Sequence, residues 1–137
     1  MYPFNEYRYN VNENNPPEIA VGVTINGIID CQHKVIIERH VFTGHNILLL
    51  TGSHDYTKFG MERIKAGNLG GPITIHEGVW LASGCIVYGP CEIGKHSVIG
   101  AGAVVTGNVP PYAFVAGVPG RCIKKIPHSP EGEQGNS

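Results

Sequence analysis

Large aliphatic side chains recur at every sixth position over two long stretches of the chain. The two series consist of Ile19, Ile25, Cys31, Ile37, Thr43 and Leu49, and of Ile75, Leu81, Val87, Ile93, Ile99 and Val105. Four positions after most members stands a small or β-branched residue, from Val23 to Ser53 and from Val79 to Val109. A helix needs a period near 3.6 and an amphipathic strand a period of 2, so neither explains this spacing. The pattern predicts an all-β parallel β-helix of about four to five coils, in which three six-residue faces close a turn of about 18 residues.

The two series are out of phase, because 26 positions separate Leu49 from Ile75 and 26 is not a multiple of six. The chain must leave the coil between them, and we expect one extruded loop over residues 55–72. Its sequence, DYTKFGMERIKAGNLGGP, mixes charged, aromatic and glycine residues. A loop of this length within a compact domain is usually functional.

The repeats divide the 137-residue chain into one domain with two flanking segments. We expect residues 1–18, which are polar and aromatic, to form an N-terminal cap, and residues 19–126 to form the repeat domain. Residues 127–137 are predicted to be a disordered tail.

Composition narrows the classes of partner. A formal net charge of -1 provides no basic field for phosphate backbones, which argues against nucleic acid. No apolar run approaches the roughly 18 residues that span a bilayer, and the start MYPFNEYRYN has no signal-peptide core, so we expect a cytoplasmic protein without a membrane segment. The cysteines form no CxxC pair and are expected to be reduced thiols: Cys31, Cys85, Cys91 and Cys122.

The motifs TGSH, PITI, GVWL, IGAGAVVT, VPPY and AGVPGR follow one another in this order. With them the chain resembles the hexapeptide-repeat acetyltransferases over roughly residues 19–125, and most closely the galactoside, maltose and polysaccharide O-acetyltransferase branch. The resemblance implies a left-handed β-helix, a homotrimer with active sites between subunits, and acetyl-CoA as the acyl donor without a metal. It also implies transfer of the acetyl group to a hydroxyl of a sugar or polysaccharide precursor.

His54, at the end of the first series, matches the family's catalytic histidine. Acyl transfer to a hydroxyl requires removal of a proton during attack, and an imidazole that titrates near neutrality suits that role. The alternative is a surface histidine that only caps a turn. Asp55, on the acceptor side of the site, could orient the His54 ring or could be a solvated loop charge.

Asn26 falls where the family has an asparagine that contacts the acceptor, if a short difference in the following coil is allowed. Its amide could both donate to and accept from a sugar hydroxyl. The alternative is that Asn26 and Gly27 form only a turn.

On the donor side, Ser83, Ala101 and Thr106 match positions that line the family's CoA groove, and one coil separates Ser83 from Ala101. Arg121 and Lys124 match basic positions near the nucleotide phosphates, where cations are favourable. Gly107 departs from the family pattern, in which a lysine often follows the threonine. Trp80 is assigned to the same cofactor-binding set, although packing against a coil or a subunit would also explain it.

Three other functions fit parts of the sequence. An N-acetyltransferase acting on an amino-sugar or a nucleotide-linked amino-sugar is the main alternative, and a non-enzymatic β-helix scaffold is another. The γ-class carbonic anhydrases share the fold, and His40 and His45 have the spacing of two of their zinc ligands. The third histidine should lie near Phe4, where none exists, which disfavours a catalytic zinc site.

Overall fold

The computed structural model describes residues 6–11, 15–67 and 69–128, and within residues 8–11 only the backbone. Short strands separated by corners wind into a left-handed β-helix with three faces. Face A contains β1 (Glu6–Val11), β3 (Asn26–Cys31), β6 (Ile47–Leu50), β11 (Ile86–Tyr88) and β14 (Val104–Val105). Face B contains β2 (Glu18–Ile19), β4 (Val35–Ile37), β9 (Ile73–Ile75) and β12 (Cys91–Ile93). Face C contains β5 (Phe42–Thr43), β10 (Trp80–Leu81), β13 (Val98–Ile99), β15 (Ala113–Ala116) and β16 (Arg121–Lys125).

Parallel pairing between successive coils sets the register on each face. Ile86 pairs with Val104, 18 positions later, as the repeat predicts. One irregular coil brings Ile28 opposite Leu48, 20 positions later instead of 18. Leu49 pairs with Val87, 38 positions later, so about 20 residues are inserted between these two strands. The phase shift seen in the sequence is thus an excursion from an otherwise continuous coil.

Both predicted positions of the repeat point into the axis, where Ile, Leu, Val, Cys and Ala side chains are buried. Each such aliphatic side chain contributes roughly 1.5–3 kcal/mol by burial before entropy is counted. Ser53 is the exception, because it is exposed and the wholly buried Thr51 takes the inward place instead. The Thr51 hydroxyl donates to the Asp30 carbonyl over 2.7 Å and accepts from the His33 amide over 3.0 Å. These bonds satisfy a polar side chain at the point where the coil opens.

The corners between faces B and C share one backbone conformation. His40, Gly78, His96 and Tyr112 all have φ between 57° and 72°, and they occupy equivalent corners of successive coils. At Gly78 a side chain would run into the His96 ring, so space favours glycine there, whereas histidine and tyrosine adopt a similar φ at the equivalent corners.

The excursion has its own small structure. β7 (Gly52–Ser53) and β8 (Leu69–Gly70) pair antiparallel and form its neck, just before the predicted start of the loop at residue 55. Beyond the neck lies the five-residue helix α1 (Met61–Lys65), none of whose residues is buried. The helix therefore contributes no buried side chain to the loop.

The two ends of the coil differ from the repeats. In the segment predicted to be a cap, β1 extends face A in parallel with β3. At the other end, β16 turns back antiparallel to β15. The predicted tail lies outside the described residues from residue 129 onward.

Candidate active site

The neck of the loop is tied to the preceding coil by Asp30. Its Oδ2 accepts a hydrogen bond from the Gly52 amide over 3.0 Å, and its backbone carbonyl accepts from the Thr51 hydroxyl. Gly52 is the first residue of the neck, so these two bonds fix where the loop leaves the coil. They thereby fix the position of the backbone that leads to His54, two residues later.

The His54 ring is exposed and is oriented by a backbone carbonyl. Its Nδ1 lies 2.8 Å from the carbonyl oxygen of Arg63 in helix α1. A carbonyl can only accept, so Nδ1 carries a hydrogen, and in the neutral ring Nε2 then has the lone pair. Gly67 lies against the ring, and a Cβ there would stand 2.9 Å from Cε1 of His54. The arrangement leaves Nε2 able to take a proton from a bound hydroxyl.

Asp55 is engaged in its own turn. Its Oδ1 accepts from the hydroxyl and the amide of Thr57, over 2.6 and 3.0 Å, and these bonds lower the pKa of the carboxyl. Its backbone amide donates to the Ala66 carbonyl over 3.0 Å, which joins the two sides of the loop. The contact with Nδ1 of His54 comes from the Arg63 carbonyl, a group that sequence reasoning missed because a backbone carbonyl carries no residue-type signal.

Ser83 and Ala101 lie one above the other at the corner between faces C and A. The Ser83 carbonyl accepts from the Gly102 amide over 3.0 Å, and the Ser83 hydroxyl accepts from the His45 amide over 2.9 Å. Ser83 and Ala101 are both exposed. Ser83 and Ala101 therefore form a line of small exposed residues along the helix axis, called the Ser83 track below. A long pantetheine arm would need such a line.

Thr106 and Arg121 line one groove of about 280 Å³, together with Gly107 and Cys122. The guanidinium of Arg121 bonds only to its neighbouring Gly120 carbonyl among the contacts of the described residues, so it can still turn toward an anion. Lys124 lies elsewhere on β16, with its ammonium 5.3 Å above the Phe114 ring. The structure thus brings Thr106 and Arg121 together and leaves Lys124 on the outer surface of face C.

Trp80 lies on the outer surface of face C, where it is 41% exposed and stacks on Phe42 with ring centroids 5.8 Å apart. Its register partner in the next coil is Val98, which pairs in turn with Phe114. The tryptophan belongs to an apolar stripe that crosses the coils.

Asn26 lines a cavity of about 470 Å³ at the start of β3. Its Oδ1 accepts from the Asn46 amide over 2.9 Å, and its backbone amide donates to the Thr43 hydroxyl over 2.9 Å. Glu6 and Tyr7 of β1 also line the cavity. Sequence reasoning missed these two because it treated their segment only as a cap, although the apolar–polar alternation of EYRYNV would have indicated a strand.

His54 and the Ser83 track lie at opposite ends of face A within one chain. Ser83 contacts His45, which comes just before β6, whereas His54 follows the far end of β6. The five steps from Asn46 to Thr51 span about 16 Å of extended strand. His54 and Ser83 therefore occupy different corners of the coil.

A second cluster of ionisable groups lies on face B. His76 Nδ1 is 3.1 Å from Glu38 and its Nε2 is 2.9 Å from Glu92, so one ring bridges three coils. The bond to Glu92, and then that to Glu38, raises the pKa of His76. His40 and His45 stand at different corners, and the described part of the chain contains no group of three His, Cys, Asp or Glu side chains placed to hold a metal.

The remaining sequence expectations concern cysteines and membranes. All four cysteines are unpaired, and burial raises the pKa of Cys31 and Cys91 to about 11 and that of Cys85 to about 12. Over residues 6–11, 15–67 and 69–128, no helix has the length and apolar character to cross a bilayer.

Comparison with known proteins agrees with this architecture. The family described as "Bacterial transferase hexapeptide (six repeats)" matches residues 72–107. The galactoside O-acetyltransferase of Escherichia coli is 47% identical over 100 residues, which are 72% of this chain and 47% of that protein. The chain spans about half the length of the curated relatives it matches, from 44% to 49% for the galactoside O-acetyltransferase and several others.

Two solved structures share the fold over most of the chain. A hexapeptide-repeat acetyltransferase from Vibrio cholerae, complexed with acetyl coenzyme A, has a TM-score of 0.78 and 25% identity over 89% of this chain and 66% of that one. A galactoside acetyltransferase in complex with coenzyme A has a TM-score of 0.77 and 28% identity over 92% and 62%. The repeat, the left-handed β-helix and these relatives show that the chain belongs to the hexapeptide-repeat acyltransferase family.

Proposed function

We propose that the protein transfers an acetyl group from acetyl-CoA to a hydroxyl of a sugar or polysaccharide precursor, with His54 as the general base. The observation that carries the proposal is the bond from His54 Nδ1 to the Arg63 carbonyl, because in the neutral ring it leaves the lone pair on Nε2. The relatives named galactoside O-acetyltransferase support the same chemistry.

The reaction follows from this tautomer. Nε2 of His54 takes the proton of the acceptor hydroxyl while the hydroxyl oxygen attacks the thioester carbonyl carbon. The carbon–sulfur bond breaks, and the sulfur of CoA leaves with the bonding electrons and receives the proton from the imidazolium. The products are the acetyl ester and CoA, and the histidine returns to its starting state.

The donor would lie along the Ser83 and Ala101 track, with its phosphates toward Arg121. The fit rests on small exposed side chains along the track and on the Arg121 cation in the groove that Thr106 also lines. Gly44 adds a further restriction, since a Cβ there would stand 2.7 Å from the Ser83 amide nitrogen and would push the two coils apart.

We expect a homotrimer with shared sites, as the family resemblance implies, and the separation of the two halves of the proposed site supports it. His54 follows the end of β6 that is far from the Ser83 track of its own chain, so we expect it to act on donor bound to another copy. The outer surfaces of faces A and C are apolar, with aligned stripes of Ile28, Leu48, Ile86 and Val104 and of Phe42, Trp80, Val98 and Phe114. Face B instead presents Glu18, Ile36, Thr74 and Glu92, so faces A and C are the surfaces we expect subunits to cover.

The acceptor would enter the cavity at Asn26. The Asn26 amide, the Tyr7 phenol and the Glu6 carboxylate supply donors and acceptors suited to a polyol. An amino-sugar is the second candidate, since the Glu6 carboxylate could equally hold an ammonium group. In that case Asp55 remains a candidate for contact with the acceptor from the loop side.

The decisive experiment measures CoA release with acetyl-CoA and a panel of hydroxyl-bearing and amine-bearing sugars. His54→Ala should lower kcat by at least about 100-fold without preventing acetyl-CoA binding. His76→Gln, a histidine variant on face B, serves as the matched control and should retain activity. Near-normal turnover by folded His54→Ala protein would refute the general-base role, and absence of acetyl-CoA binding by the unaltered protein would favour a scaffold.

A further inference from the structure

The side chain of Arg63 is bound to the backbone of its own loop. Its Nε donates to the Lys58 carbonyl over 2.7 Å, and its Nη2 donates to the Tyr56 carbonyl over 2.9 Å. The guanidinium carbon lies 5.3 Å from the centre of the Phe59 ring. Among the described residues no carboxylate lies within ion-pair distance of it, so its contacts are with the loop alone.

The backbone carbonyl of the same residue receives the hydrogen of His54 Nδ1. Arg63 thus joins three parts of the loop: the histidine at its base, residues 56–59 on the outgoing side, and helix α1 on the return. The other hydrogen bonds within the loop include the one from the Lys58 amide to the Asp55 carbonyl over 3.2 Å.

Because no residue of α1 is buried, hydrogen bonds hold this part of the loop in place, among them those of the Arg63 guanidinium and the one from the Asp55 amide to the Ala66 carbonyl. The charged, planar guanidinium of Arg63 donates two hydrogen bonds to two carbonyls, and these bonds stabilise the loop where no buried side chains of α1 do so. Without them α1 could turn about its ends, and the Arg63 carbonyl would no longer point at Nδ1.

We propose that Arg63 is a positioning residue for the histidine: its guanidinium fixes the loop so that its own carbonyl selects the tautomer and orientation of His54. The inference rests on the proposed general-base function of His54, but its structural part concerns the ring alone. Geometry favours arginine over lysine, because Nε and Nη2 reach two carbonyls from one rigid plane whereas an ammonium is a single point of donation.

Kinetics with three variants test the proposal. Arg63→Ala should lower kcat by about 10- to 100-fold with little change in KM for acetyl-CoA, because a misplacement near 1 Å can cost about that much. The kcat of Arg63→Lys should lie between that of Arg63→Ala and that of the unaltered protein. Lys65→Ala, which removes another cation from the same exposed helix, should match the unaltered protein. Guanidinium ion at low millimolar concentration should restore part of the turnover of Arg63→Ala and none of that of His54→Ala.

Imidazole ¹⁵N NMR gives a readout that does not depend on activity. His54 should appear as the Nδ1–H tautomer in the unaltered protein and in Lys65→Ala, and as a tautomer mixture in Arg63→Ala. An unchanged tautomer together with unchanged kcat in Arg63→Ala would overturn the positioning role. If no sugar is acetylated by any variant, the proposed function fails, whereas a tautomer change in Arg63→Ala would still support the positioning role.

Discussion

Gly67 offers a way to displace the His54 ring without touching the rest of the site. A Cβ added there would stand 2.9 Å from Cε1 and 3.3 Å from Nδ1 of His54, whereas ordinary contacts begin at 3.4 Å. The three nearest atoms all belong to the exposed His54 side chain, and the φ of Gly67 lies outside the left-handed region. Gly67→Ala should therefore move the ring and leave the backbone in place.

The size of the effect follows from these distances. The ring must retreat by about half an ångström, the shortfall between 2.9 and 3.4 Å, and this also strains its bond to the Arg63 carbonyl. If a full ångström of misplacement costs about 100-fold, half of it should cost about tenfold in kcat, or about 1.4 kcal/mol of activation free energy. The free energy of unfolding should stay constant or rise by about 0.4–1 kcal/mol, because alanine restricts the unfolded chain.

The assay compares steady-state kinetics and urea unfolding of Gly67→Ala with those of Lys65→Ala, a loop variant that leaves the ring alone. We expect a lower kcat, an unchanged KM for acetyl-CoA and no loss of stability in Gly67→Ala. Normal kcat in a stable Gly67→Ala protein would show that the position of the ring does not limit turnover, and the catalytic assignment would lose its geometric basis.

Three further predictions concern the groove, the core and face B. Gly107→Lys adds a cation beside Thr106 where no atom lies within 4 Å of the new Cβ, and calorimetry should show CoA binding about three- to tenfold tighter at low salt, with the gain shrinking at high salt; unchanged affinity would argue against this groove as the phosphate site. Leu81→Ala, at a wholly buried position, should cost about 2–5 kcal/mol in urea unfolding, whereas Val21→Ala, 95% exposed, should cost almost nothing. Hydrogen bonds to carboxylates, chiefly Glu92, raise the pKa of His76 above its ordinary 6.5, so its stabilising contribution is complete below that value and is lost as pH rises through the raised one. The stability difference between the unaltered protein and His76→Gln should accordingly shrink from pH 6 to pH 8, and a difference that does not vary with pH would contradict the bridge.

The repeat alone determined the axis of this protein. Ile, Leu and Val at every sixth position must face inward, because no other regular structure buries a residue with that period, and the structure buries them. The phase shift between Leu49 and Ile75 likewise required an excursion, since a coil cannot lose register without ejecting residues. The motifs that followed indicated the family.

Tertiary structure decided how the site is assembled. The residue types around His54 do not indicate that its Nδ1 donates to the backbone carbonyl of the residue nine positions later. Every residue carries the same carbonyl, and only the fold of the loop determines which one points at the ring. Whether Thr51 or Ser53 points inward depended on the place where Asp30 ties the neck. Sequence spacing fixes which residues share a face, because the period of the coil is local. Distances across a loop and between the two ends of a strand arise from packing, and these place His54 and Ser83 at opposite ends of face A.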